Sequence, residues 1–322
     1  MNTAEYIFLP NRRFCKSMPV DPSLAALMSD PRNTVRPPPA HVSLDKVRHA
    51  ADAAMAQGNL PQMAAVMDGT VVCGGHEVPI RHYRPTSDAT LSAILFCHGG
   101  GFVWGSIATH DGLCRRLAVL TGASVISVGY RLSPECVFPG APEDAFAVLS
   151  ELVARPAAHG IAPDRIALCG DSAGGAICIS VAELARRADL PLRHLALFYP
   201  AIDPACDSPS QHAQADGPIL TQAAMQWFWD CYLGPQKTEA NLLPLRIAAL
   251  SAFPPTTVAV AEYDPLRDEG AAFAARLAQA GVDATLTNYP GLVHGFLSLP
   301  VLSPVIDAAL HDTARRLRQS LT

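Results

Sequence analysis

No Cys-x-x-Cys pair and no zinc-ligand spacing occurs in the 322 residues, although nine cysteines are scattered through them. This excludes the common structural metal sites, and an odd number of thiols in a chain of this size is not a disulfide framework. Cys97, Cys169 and Cys178 sit inside apolar runs, where a free thiol behaves as a small core residue. Reduced thiols of this kind predict a cytoplasmic protein. Long basic tracts are also missing: apart from Arg315 to Arg318, no Lys/Arg run exceeds a pair, and the net charge is −5. Nucleic acid and anionic membrane surfaces therefore have no footprint here. No stretch approaches about eighteen uninterrupted apolar residues, so no spanning helix is expected. The first residues carry their basic side chains after a short apolar patch, the reverse of a secretory signal. No G-x-G-x-x-G opens a helix, and no Lys-Ser/Thr pair follows a run of glycines, which removes the common nucleotide sites.

What is present is apolar bulk, 49% of the chain, enough for one large α/β core. Up to about Leu60 the pattern is helical, with helices expected at Pro22 to Ser29 and Leu44 to Ala56 and an extended, proline-rich stretch between them. From Thr70 the period changes to that of a hairpin around Gly74-Gly75. Apolar strands are then predicted at Ser92–Cys97, Ser124–Tyr130, Arg165–Cys169, His194–Tyr199, Thr256–Ala261 and Ala284–Tyr289. Helices alternate with them at Thr109–Thr121 (Thr109 as N-cap), Glu143–Ala154, Ala173–Arg187, Asp268–Ala280 and Pro304–Leu321. Strands without polar alternation, separated by helices, predict a mostly parallel sheet covered on both faces. Residues 200–255 break the rhythm, with one helix over Thr221–Leu233 that serves either as a cap over the sheet or as an extra core helix.

Three stretches carry reactive groups just beyond predicted strands, where ligand sites of open α/β sheets gather. Gly170-Asp-Ser-Ala-Gly174 puts Ser172 on a tight strand-to-helix turn, as a nucleophile requires, although a serine there also serves as an ordinary N-cap. His98-Gly-Gly-Gly-Phe102 supplies a flexible backbone whose Gly100 and Gly101 amides, with that of Ala173, suit an oxyanion. Asp264 and His294 each follow a strand, and their order, Ser172 then Asp264 then His294, is that of an α/β-hydrolase triad.

With these pieces in place the chain resembles the hormone-sensitive-lipase-like esterases, the bacterial family IV carboxylesterases of the α/β-hydrolase fold. The resemblance spans about residues 70 to 320 and rests on HGGGF at 98–102, GDSAGG at 170–175, DPLRD at 264–268 and HGF at 294–296. It also takes in Tyr130-Arg-Leu-Ser-Pro-Glu135, where the family usually has Ala in place of Ser133. It implies a helical cap, which fits residues 1–60, ahead of a catalytic domain over 61–322; the break in rhythm at 200–255 is read as an additional cap insertion. It further implies hydrolysis of short- to medium-chain acyl esters through an acyl-enzyme, with no metal or organic cofactor. A small-molecule ester is then the partner, alongside the homodimer that family members often form. An amide hydrolase or acyltransferase would share the triad, and a non-catalytic receptor would lack the histidine that stands here at position 294.

Other residues receive structural expectations. Asp171 has a local role, His98 fixes its loop, and His110-Asp111 is too isolated for a metal. Arg131, Glu135, Glu143 and Asp144 form ion pairs that hold loops. Glu262, beside the acid, points elsewhere. Phe102, Trp104, Trp227 and Phe296 divide between acyl pocket and core.

Overall fold

The computed structural model describes residues 19–39, 41–55, 60–235, 242–299 and 303–322. Helices α1 (Pro22–Ser29) and α2 (Leu44–Met55) precede the hairpin β1 (Ala65–Cys73) and β2 (His76–Arg84). Then follow β3 (Leu91–Cys97), α3 (Asp111–Thr121), β4 (Ser124–Val128), α4 (Gly140–Ala154), α5 (Pro156–His159), β5 (Ile161–Asp171), α6 (Ala173–Arg187) and β6 (His194–Phe198). The remainder is α7 (Pro209–Ala213), α8 (Gln222–Leu233), β7 (Thr256–Tyr263), α9 (Arg267–Gln279), β8 (Ala284–Val293) and α10 (Pro304–Leu321). None of the described helices is long and apolar enough to cross a membrane, and every described cysteine is free.

The strands form one 8-stranded sheet in the order β1-β2-β4-β3-β5-β6-β7-β8. The hairpin runs antiparallel, turning at Gly74 and Gly75 with φ of 53° and 92°, and β3 to β8 are parallel. Alternation along β3 splits the core between the two faces. Ala93, Leu95 and Cys97 join Val148, Leu152, Ile177 and Leu277 of α4, α6 and α9, whereas Ile94 and Phe96 join Leu113, Leu117, Leu310 and Leu317 of α3 and α10. Because β4 lies on one side of β3 and β5 on the other, the chain reverses direction across the sheet there, opening a crevice at the carboxyl ends of β3 and β5.

Some boundaries differ from expectation. The hairpin begins at Ala65, five residues before Thr70, because its outer strand is largely exposed and lacks the apolar signal of a core strand. Strand β5 starts at Ile161. Helix α3 starts at Asp111 with His110 at its N-cap, because the Thr109 hydroxyl is taken up by Ser106 and His110. Helix α8 is not a detached lid: Met225, Phe228, Trp229 and Tyr232 all join the main core cluster.

One buried acid makes the fold sensitive to pH. Glu269 on α9 accepts from the Ile202 amide at 2.8 Å and faces Gln211 Nε2 at 3.4 Å, with no cation paired to it among the described residues. Burial pushes its carboxyl from the ordinary 4.5 up to about 8. The unfolded chain therefore loses this proton first, and stability drains away as pH rises from about 4.5 to about 8. Glu269→Gln keeps the acceptor for Ile202 without the ionisation. Thermal denaturation should show it gaining at least about 1 kcal/mol over wild type at alkaline pH and nothing at pH near 5; a parallel pH dependence in both proteins would refute the assignment.

Candidate active site

Ser172 occupies the single residue between β5 and α6. Its φ of 53° and ψ of −119° lie where a non-glycine residue costs about 1–3 kcal/mol. The surrounding chain enforces this: Ser172 N donates to Phe198 O at 2.9 Å, while its carbonyl accepts from Gly175 N at 3.0 Å and Ala201 N at 3.1 Å. The flanking glycines permit the approach. A Cβ at Gly174 would stand 2.0 Å from the Cys97 carbonyl oxygen, one at Gly170 2.4 Å from the Gly174 oxygen, and one at Gly175 2.8 Å from Pro200. Strand and helix are thus pressed together until no side chain fits between them.

The other two polar groups arrive from further along the sheet. Asp264 directly follows β7 and His294 directly follows β8. Ser172 Oγ lies 2.9 Å from His294 Nε2, and His294 Nδ1 lies 2.8 Å from Asp264 Oδ2. Asp264 Oδ1 accepts from Leu266 N at 2.8 Å, so the fully buried carboxylate has both oxygens engaged. With the Nδ1 proton donated to Asp264, Nε2 is left as the acceptor for the serine hydroxyl. The Tyr199 ring meets the imidazole edge-on, centroids 5.0 Å apart, and closes one side of it. Glu262 does point elsewhere: its Oε2 accepts from Gly291 N at 2.9 Å.

The glycine loop is shaped by positive φ at Gly100 (122°), Gly101 (59°) and Phe102 (66°). Val103 N and Trp104 N both close onto Gly100 O, at 3.1 and 3.0 Å. His98 Nδ1 donates to Gly99 O at 2.8 Å and Tyr130 Oη to His98 O at 2.6 Å; burial drives the imidazole down to about 3, so the ring is neutral and structural. Asp171 accepts from Gly99 N at 2.8 Å and faces His110 Nε2 at 3.4 Å. Burial opposes its charge, but His110 and the Gly99 amide leave its pKa below the ordinary value. Asp171 thus serves the glycine loop and not His294. Gly100 and Gly101 line the same cleft as Ser172 and His294. The amides of Gly100, Gly101 and Ala173 donate to no other described residue, and Ala173, first in α6, has no acceptor within the helix.

Gly101 is the position at which this loop is easiest to test. A Cβ there would lie 2.2 Å from Cδ1 of Phe228, at a φ that L residues rarely adopt. Gly101→Ala must therefore move the loop. On the reading that Gly101 N receives an oxyanion, its displacement is expected to lower kcat about 10²- to 10³-fold with little change in KM; steady-state kinetics with unchanged kcat would show that the loop carries no donor.

The cleft measures about 460 Å³. Val47, Ala50 and Ala51 of α2, Trp104, and Met225 and Phe228 of α8 wall it. Of the aromatics left open by sequence, Trp104 lines the cleft, whereas Phe102 and Phe296 are core. Trp227 packs against Trp104 at 6.1 Å without lining the cleft. Sequence reasoning passed over Phe228 and the α2 face, although Val47, Ala50 and Ala51 carry the i, i+3, i+4 spacing that could have found it.

The expected ion pairs hold with one exception. Arg131 and Asp144 pair at 2.8 Å and Arg48 and Glu135 at 2.7 Å. Glu143 is exposed and makes no ion pair among the described residues, because it faces away on the first turn of α4. The departure at Ser133 is accommodated within its own turn, where Oγ donates to Cys136 O at 2.9 Å. Cys73, His76 and Asp144 bring their ligand atoms within 4.8 Å of one another. However, the Asp144 carboxylate is already occupied by His76, by the Arg131 amide and by the Arg131 guanidinium, whose charge repels a cation.

Residues 94–298 match the family described as alpha/beta hydrolase fold. The chain is 34% identical over 318 residues to an ethyl acetate hydrolase of Pseudomonas putida, covering 94% of this chain and 100% of that protein. It is 38% identical over 248 residues to carboxylesterase NlhH of Mycobacterium tuberculosis, 75% of this chain and 77% of the relative. A hyperthermophilic esterase from the archaeon Pyrobaculum calidifontis superposes with a TM-score of 0.85 at 35% identity, over 94% of this chain and 99% of that one.

Proposed function

The chain belongs to the α/β-hydrolase family, among its hormone-sensitive-lipase-like esterases, and from that premise we propose that it is a serine carboxylesterase acting through Ser172, His294 and Asp264. The observation that carries the residue assignment is the unbroken relay of 2.9 Å and 2.8 Å from Oγ through the imidazole to a buried carboxylate. His294 Nε2 takes the hydroxyl proton as Oγ attacks the ester carbonyl, and the Gly100, Gly101 and Ala173 amides receive the oxyanion. His294 then hands the proton to the departing alkoxide. A water, deprotonated by the same nitrogen, releases the acid from the acyl-enzyme. Asp264 stays ionised throughout and holds the Nδ1 proton.

The cap assignment for 1–60 and 200–255 is part of the same reading, and it is supported by α2 and α8 both walling the cleft. The small cleft and the likeness to an ethyl acetate hydrolase favour short- to medium-chain acyl groups. Rates on p-nitrophenyl acetate, butyrate, octanoate and palmitate test this directly. We expect turnover from acetate through octanoate and little on palmitate, and an optimum at palmitate would overturn the chain-length assignment. Free thiols support a cytoplasmic location. The homodimer common in the family is the oligomer we assign, with size-exclusion chromatography as its check.

A further inference from the structure

Helix α2 faces the nucleophile across the cleft with small side chains, yet none of its described residues is buried. A 12-residue helix is marginal by itself in water and relies on whatever anchors it to the rest of the fold. Leu44 at its start packs against the main core, and the polar anchor further along is Arg48. Its Nε donates to Val103 O at 2.8 Å and its Nη2 to Ser133 O at 3.1 Å. Its two terminal nitrogens also hold the Glu135 carboxylate, at 2.9 and 2.7 Å. The two carbonyls belong to loops that are themselves joined, since Ser133 N donates to Phe102 O at 2.8 Å. Val103 in turn closes its amide onto Gly100 O. One guanidinium thus spans the substrate-facing helix, the glycine loop and the 133–135 turn.

We propose that Arg48 is a positioning residue that clasps α2 onto the glycine loop, so that the wall meeting the acyl chain and the amides meeting the carbonyl oxygen are held as one unit. The kinetic part of this inference rests on the esterase reading above. The geometry suits arginine alone: a planar fork reaches two carbonyls and a carboxylate together, whereas a lysine ammonium keeps only the charge. The exposed Glu135 pair by itself is a weak contact, so the carbonyl bonds carry the positioning.

An acetyl group reaches only the glycine loop, but an octanoyl chain must lie along α2. Arg48→Ala should therefore lower kcat/KM for p-nitrophenyl octanoate about 10-fold more than for the acetate, the scale of losing charge-assisted hydrogen bonds. Arg48→Lys should fall between wild type and Arg48→Ala, and Glu135→Gln should stay within about 2-fold of wild type because both carbonyl bonds survive. Thermolysin, whose apolar sites in α2 the substitution leaves intact, should cleave that segment faster in Arg48→Ala than in wild type. Equal loss on both esters, or an unchanged ratio with unchanged cleavage, would overturn the clasp. Should wild type hydrolyse no ester, the esterase reading falls while the proteolysis comparison still decides whether Arg48 holds α2. If Arg48→Ala does not fold, Arg48→Lys supplies the same two readouts.

Discussion

Ser172→Ala is expected to fold as wild type does and to lose ester turnover about 10⁶-fold, the scale seen when a triad nucleophile is removed. The two halves of that expectation have separate causes. The strained backbone at Ser172 is imposed by its amide's hydrogen bond to the Phe198 carbonyl and by those its own carbonyl accepts from Gly175 and Ala201, none of which involves the hydroxyl. Alanine inherits the same φ and ψ, and the loss of one hydrogen bond to His294 changes stability by only about 1 kcal/mol. Rate is another matter, because the Ser172 hydroxyl is the one that meets His294 Nε2, at 2.9 Å. Thermal denaturation and p-nitrophenyl butyrate turnover, run in parallel, read both halves. Retained turnover would remove Ser172 from the chemistry. Ser172→Gly adds a control, since glycine tolerates this φ and should be at least as stable as the alanine variant.

Asp264→Asn is expected to lower kcat about 10⁴-fold while leaving the fold intact. The direction follows from the amide of Leu266, which donates to Oδ1 at 2.8 Å. An asparagine must keep its carbonyl oxygen there, so its NH₂ group faces His294 Nδ1. The imidazole then has to accept at Nδ1 and carry its proton on Nε2, the nitrogen that should receive the serine proton. The base is present and misdirected. KM should move little, because Asp264 is sealed from the cleft and meets no substrate atom. A variant with near-normal kcat would mean that another group orients the ring.

The polar relay was legible in the sequence because each member follows an apolar run that becomes a strand, and strand ends converge in this class of sheet. The core strands β3 to β7 were legible for the same reason. The outer half of β1 was not, since Ala65 to Gly69 is exposed and carries no periodic signal. Nor could spacing tell Thr109 from His110 at the start of α3, where a hydroxyl had a local partner that sequence does not display. The cleft walls were the least readable. Val47, Ala50 and Ala51 mark a helical face, but the identity of what it faces comes from the 55 positions separating Arg48 from Val103 being folded back on themselves. Phe228 is likewise a matter of tertiary placement: its ring occupies the volume that Gly101 leaves open.

The crowding around the serine turn has an evolutionary corollary. Gly170, Gly174 and Gly175 are required by backbone and proline atoms that would sit within 3 Å of any added Cβ, irrespective of whether the hydroxyl reacts. Those glycines answer to selection for folding, while on the esterase reading proposed above His294 and Asp264 answer to selection for turnover. A lineage that abandoned hydrolysis could shed the imidazole and the carboxylate, but not the glycines. In such a lineage the three glycines would therefore persist as a fossil of architecture, and the residue at position 294 would be the marker by which a living enzyme is told from its retired kin.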